Sequence, residues 1–68
     1  MKEINLKNRL QKFRTNANLT QEALAKLVGT TRQTIISIEK NQYSPSVKLA
    51  LVLALALNTT VENIFYFE

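Results

Sequence analysis

The chain contains a single glycine, Gly29, and a single proline, Pro45, in 68 residues. So few breakers leave long stretches that nothing stops from coiling, and each breaker marks a boundary. Gly29 ends a stretch in which Leu24, Leu27 and Val28 recur at helical spacing. A glycine just past such a stretch supplies the left-handed residue that closes a helix. A new apolar-periodic stretch, carrying Ile35 and Ile38, begins almost at once. Two short helices joined by a turn of this length cross steeply. The crossing demands a small side chain, and Ala25 lies one turn before the glycine.

The rest of the chain reads the same way. Leu6, Leu10 and Phe13, interleaved with Lys7, Arg9, Lys12 and Arg14, predict an amphipathic first helix over 5–16. Thr20 is placed to cap the second helix, with Glu22 in its first turn where the helix dipole favours an anion. Thr30 or Thr31 caps the third, and Thr30 with Gln33 has the spacing of a capping box. Asn41, Gln42 and Tyr43 read as a loop. Ser44 before Pro45 then reads as an N-cap followed by proline at the first helical position, opening a fourth helix that runs to Leu57. Thr60 starts a last short turn through Ile64. The aromatic tail, Phe65 to Phe67, is expected to pair as a short strand with Lys2-Glu3-Ile4. The fold class is therefore mainly all-α: a compact five-helix domain over 1–68, with a small two-stranded pairing of its ends.

Composition narrows the chemistry. The chain has no cysteine and no histidine, so disulfides and a zinc clip are not expected, and stability must come from apolar packing. It has no aspartate either, and its five glutamates are scattered. General acid–base, nucleophilic or metal chemistry needs groups that are missing here, so no enzyme, catalytic residue, metal or cofactor is expected. The amino-terminal residues have charges throughout and no continuous apolar stretch, which is not the pattern of a signal peptide; a cytoplasmic location is expected. All nine Lys and Arg fall within residues 1–48, against Glu3, Glu22 and Glu39, whereas residues 49–68 carry only Glu62 and Glu68. A basic front and a faintly acidic back point to an anionic partner on one face, with nucleic acid the leading candidate.

The segment from Gln21 to Glu39 resembles the lambda-repressor-like helix-turn-helix class, the Xre or Cro/C1 family. The resemblance is carried by Leu19-Thr20-Gln21, Leu24-Ala25, Gly29, Thr31-Arg32, Thr34-Ile35 and Ile38-Glu39, and extends to Pro45-Ser46, Leu49-Ala50 and Ile64-Phe65. Asn18 stands where the family often has glycine, and Lys40-Asn41 where it often has Asn-Gly. Asparagine tolerates the left-handed conformation, so neither departure disturbs the fold. The resemblance implies a regulator of transcription, expected to be a repressor, with a helix-turn-helix over 20–39 and double-stranded DNA as partner. Its third helix lies in the major groove. The residues then free to meet DNA around that helix are Thr30, Thr31, Arg32, Gln33, Thr34 and Ser37, since Ile35 and Ile38 turn inward. Gln21, Lys40 and Asn41 are expected at phosphates, which set register without reading sequence. The resemblance also implies that Arg14 and Glu39 pair with each other, tying the first helix to the third.

One stretch asks for more. From Leu49 to Val61, thirteen residues carry no charge, fewer than the roughly 20 needed to cross a bilayer. On a helix Leu49, Ala50, Leu53, Ala56 and Leu57 share one face, enough for a core. Leu51 and Leu55 point away, with Val52 at the flank. A homodimer built on Leu51, Val52 and Leu55 covers that stripe and suits the twofold reading of two half-sites. The rival reading is a protein-interaction module, an antitoxin or adaptor, whose apolar stripe meets a different protein. No small-molecule ligand is evident.

Overall fold

The computed structural model describes residues 4–68. In chain order it has β1 (Leu6–Asn8), α1 (Leu10–Asn16), α2 (Gln21–Val28), α3 (Arg32–Glu39), α4 (Val47–Ala56), α5 (Val61–Ile64) and β2 (Phe65–Phe67). The five helices enclose one core. Its fully buried large side chains are Leu10, Leu24, Ile35, Ile38, Leu53 and Ile64, so every helix contributes at least one. Each such burial is worth about 1.5–3 kcal/mol. In a chain this short, no helix can be dispensed with.

Helix starts are set by hydroxyls. Thr20, Thr31, Ser46 and Thr60 each accept a hydrogen bond from the backbone N–H three residues on, opening α2, α3, α4 and α5. Helix ends are set by left-handed residues. Gly29 does this after α2, with φ +79°, and Asn18, Asn41 and Asn58 do it after α1, α3 and α4. An added Cβ on Gly29 would meet nothing within 4 Å, so the position needs glycine for its backbone angle and not for space. The Thr30 N–H donates to the Ala25 carbonyl at 2.9 Å and closes the turn into α3.

Several expectations are corrected. The first helix begins at Leu10, not near Asn5, because Leu6–Asn8 is a strand. That strand, and not Lys2-Glu3-Ile4, is the partner of the tail: Leu6 faces Phe67, Lys7 faces Tyr66 and Asn8 faces Phe65, antiparallel. Lys2 and Glu3 lie outside the described residues. The pairing is reinforced by Arg9, whose backbone N–H donates to Ile64 O at 2.7 Å and whose guanidinium stacks 3.9 Å over the Tyr66 ring. Finally, α4 is capped by Ser46 and not by Ser44, so Pro45 precedes the helix instead of opening it. Of the two residues expected to cap α3, Thr31 does so, and the Thr30–Gln33 capping-box arrangement is not used. Leu27, expected on the apolar side of α2, is 58% exposed.

Candidate nucleic-acid interface

The frame that holds α3 is ionic at its centre. Arg14 of α1 reaches Glu39 at the end of α3 with Nε at 2.7 Å from Oε2 and Nη2 at 3.2 Å from Oε1, while its Nη1 donates to the Leu19 carbonyl at 2.9 Å. Their side chains are only 10% and 5% exposed. A fork of two parallel bonds, removed from water, fixes position as well as charge. Gln21, at the start of α2, joins the same group: its Nε2 donates to Glu39 Oε1 at 3.1 Å. The half-buried Gln21 thus braces α2 against α3 while keeping one N–H and its carbonyl oxygen for another partner.

With Ile35 and Ile38 buried, the opposite side of α3 faces out. Thr31, Arg32 and Gln33 are exposed, and Thr34 and Ser37, one and two turns up the same side, are half-buried. Thr31, exposed, uses its hydroxyl at the cap, where it also meets the Thr34 hydroxyl at 3.0 Å. Gln33 Nε2 donates to Ser37 Oγ at 3.3 Å, an i, i+4 contact that lays the amide along the helix. Arg14–Glu39 is the one ion pair among the described residues, so Arg32 holds its charge outward without an acidic partner. Thr30 sits half-buried in the turn before α3. Lys40 and Asn41 follow α3 as an exposed turn, in which Asn41 N donates to Ile38 O and Gln42 N to Ser37 O, both at 2.9 Å.

Two residues outside the sequence-based set border this face. Gln42 and Tyr43 line a hollow of about 450 Å³ together with Thr31, Gln33, Thr34 and Ser37. The available signal was their place directly after α3 in an exposed loop carrying an aromatic, since loops beside a rigid element often carry function.

A second surface lies on α4. Leu51 and Leu55 are 53% and 80% exposed and border a hollow of about 590 Å³ with Val47, Ala54 and Val61. Val52, at the flank of that stripe, is half-buried and lines a separate hollow with Val28 and Gly29. Among the described residues no helix is long and apolar enough to cross a membrane, and no cluster of acidic side chains forms a metal site.

Comparison with known proteins agrees with this geometry. A helix-turn-helix family model matches residues 10–64. An uncharacterised HTH-type transcriptional regulator of Methanocaldococcus jannaschii is 51% identical over 63 residues, spanning 93% of this chain and 96% of the relative. The control protein C.SmaI of Serratia marcescens is 36% identical over 64 residues, 94% of this chain and 75% of its own length. Among solved structures, the restriction-modification controller protein C.AhdI of Aeromonas hydrophila superposes with a TM-score of 0.76 at 36% identity, covering 81% of this chain and 83% of that one. The family match over residues 10–64 and these relatives show that the chain belongs to the Xre and Cro/C1-type helix-turn-helix family of DNA-binding transcriptional regulators, not to an enzyme family.

Proposed function

We propose that the chain, as a single domain over 1–68, binds an inverted-repeat DNA site as a homodimer and represses transcription by occupying it. The observation that carries this reading is the outward row on α3, Thr31, Arg32, Gln33, Thr34 and Ser37, opposite the buried Ile35 and Ile38. In the major groove, an arginine pairs bidentately with guanine O6 and N7, a glutamine with adenine N6 and N7, and a threonine methyl packs on a thymine methyl. Arg32, Gln33 and Thr31 take these roles here. Thr30, at the lip of the turn, and Gln21, through its spare N–H, lie beside a helix N-terminus, the favoured place for a phosphate. Lys40 and Asn41 hold the backbone at the other end of α3.

Leu51 and Leu55 form the centre of the homodimer contact, Val47 and Val61 extend it, and Val52 contributes at its flank. Burying each leucine contributes roughly 1.5–3 kcal/mol, and the twofold axis counts every residue twice. The two α3 helices then enter successive major grooves about 34 Å apart. A cytoplasmic location goes with this reading, since the DNA has to be within reach.

Selection of bound duplexes from a random library tests the proposal. The expected result is an inverted repeat whose half-sites lie one helical turn apart. Recovery of duplexes with no shared sequence would overturn it, and would favour the rival reading in which the apolar face of α4 serves another protein.

A further inference from the structure

Asn8 stands out among the residues that the recognition surface does not absorb. It lies on β1, on the side shared with the apolar Leu6, Phe65 and Phe67. A polar side chain in a half-buried place has to find partners, and Asn8 finds three. Its Oδ1 accepts from the Leu10 N–H at 3.1 Å, closing an Asx turn just ahead of α1, whose N-cap position, Arg9, makes no side-chain cap. Its Nδ2 donates to the Ile38 carbonyl at 2.9 Å, with Asn41 Oδ1 at 3.4 Å.

The two ends of this amide do different work. Closing the turn ahead of α1 requires only an acceptor, which serine, threonine or aspartate supplies as well. What asparagine adds is the donor, and the donor goes to the exit of α3. There the Ile38 carbonyl already accepts from Asn41 N, inside the turn that carries Lys40 and the left-handed Asn41. An unsupported turn of exposed residues has few contacts to fix it. The Asn8 amide ties this one to a strand that is itself held by β2 and by the bond from Arg9 N to Ile64 O.

We propose that Asn8 is a positioning residue for DNA binding: through the Ile38 carbonyl and Asn41 it sets the Lys40–Asn41 turn at the height where it meets a phosphate. The terminal two-stranded sheet then acts as a strut for the recognition helix as well as a closure of the chain ends. The proposal rests on the reading of α3 and its turn as the DNA surface.

The test is a cycle of titrations on two duplexes, one carrying the selected site and one of random sequence. Asn8→Thr and Asn8→Ser keep a hydroxyl for the Leu10 N–H, introduce no charge, and are too short to reach Ile38 O. Threonine also suits a strand. Melting curves fix a temperature at which every variant is fully folded, and all titrations are run there. Each Asn8 variant is expected to weaken binding about threefold to tenfold on both duplexes, the loss of one ordinary hydrogen bond. In a background of Lys40→Ala with Asn41→Gly, which removes the turn's own contacts and keeps its left-handed backbone, the Asn8 substitutions should have no further effect. In a background of Arg32→Ala their effect should multiply in full. A general loosening of the fold would weaken binding by the same factor in both backgrounds, and that result would overturn the proposal. So would unchanged binding in the Asn8 variants, or unchanged binding when the turn alone is altered. Failure of the unsubstituted chain to bind either duplex would instead overturn the reading of the surface itself.

Discussion

At the scale of the residue, the fold turns on Glu39, whose buried carboxylate accepts from Arg14 and from Gln21 and so joins three helices. Removing one partner of a buried pair leaves the other charged and unsolvated, which costs about 3–5 kcal/mol, against about 0–1 for a pair at the surface. Arg14→Ala is therefore expected to leave this small domain largely unfolded at room temperature. A thermal melt followed by circular dichroism reads the result directly, and a midpoint equal to that of the parent chain would contradict it. Gln21→Ala keeps the Arg14 fork and removes one neutral donor, so its loss should be nearer 1 kcal/mol. The Arg14–Glu39 pair was legible in the sequence through resemblance, since both residues sit one position after core residues, Phe13 and Ile38. The partner of Gln21 was not. An amide at a helix start serves a phosphate and a neighbouring carboxylate equally well, and nothing local in the chain tells them apart.

At the scale of the element, the turn between α2 and α3 isolates a backbone effect. Gly29 has φ +79° and open space where a Cβ would stand. Gly29→Ala should thus lower stability by about 1–2 kcal/mol through the left-handed backbone alone, with no steric part. Gly29→Asn should cost less, because asparagine already holds that conformation at positions 18, 41 and 58. Urea unfolding midpoints check the order; equal losses for alanine and asparagine would point to a contact that the geometry does not contain. Helices α2 and α3 were legible because cap, apolar spacing and glycine all agreed. The start of α1 was not. Leu6, Leu10 and Phe13 fit a helix, and three residues of strand are too few for an alternation to declare itself. The polar Asn8, whose Oδ1 accepts from the Leu10 N–H just ahead of α1, was the local clue. Pro45 misled for a related reason: proline suits the first turn of a helix, but it suits an extended approach equally, and the hydroxyl of Ser46 settled the start of α4 by accepting from Leu49 N at 3.1 Å.

At the scale of the whole molecule, two faces remain turned outward, the polar row on α3 and the apolar stripe on α4. The second was legible because an uncharged helix has more apolar residues than one core face can use; which neighbours would deepen the stripe, Val47 and Val61, needed the packing of α5. In the proposed homodimer, Leu55→Glu would place like charges across the twofold axis. It should yield a folded monomer with weakened binding to a full inverted repeat, and sedimentation showing a dimer at micromolar concentration would move the contact elsewhere. Whether α3 reads bases is decided by the affinity of Arg32→Ala on the selected site, on single-base variants of that site, and on random DNA. Loss of a bidentate arginine–guanine pair should cost about 1–3 kcal/mol per half-site, abolish preference at one base position, and leave binding to random DNA nearly unchanged. Lys40→Ala provides the contrast, weakening every duplex alike and flattening the salt dependence, as expected for a phosphate contact. If Arg32→Ala instead loses the same factor on selected and random duplexes, Arg32 is a phosphate clamp and α3 does not read the site as described.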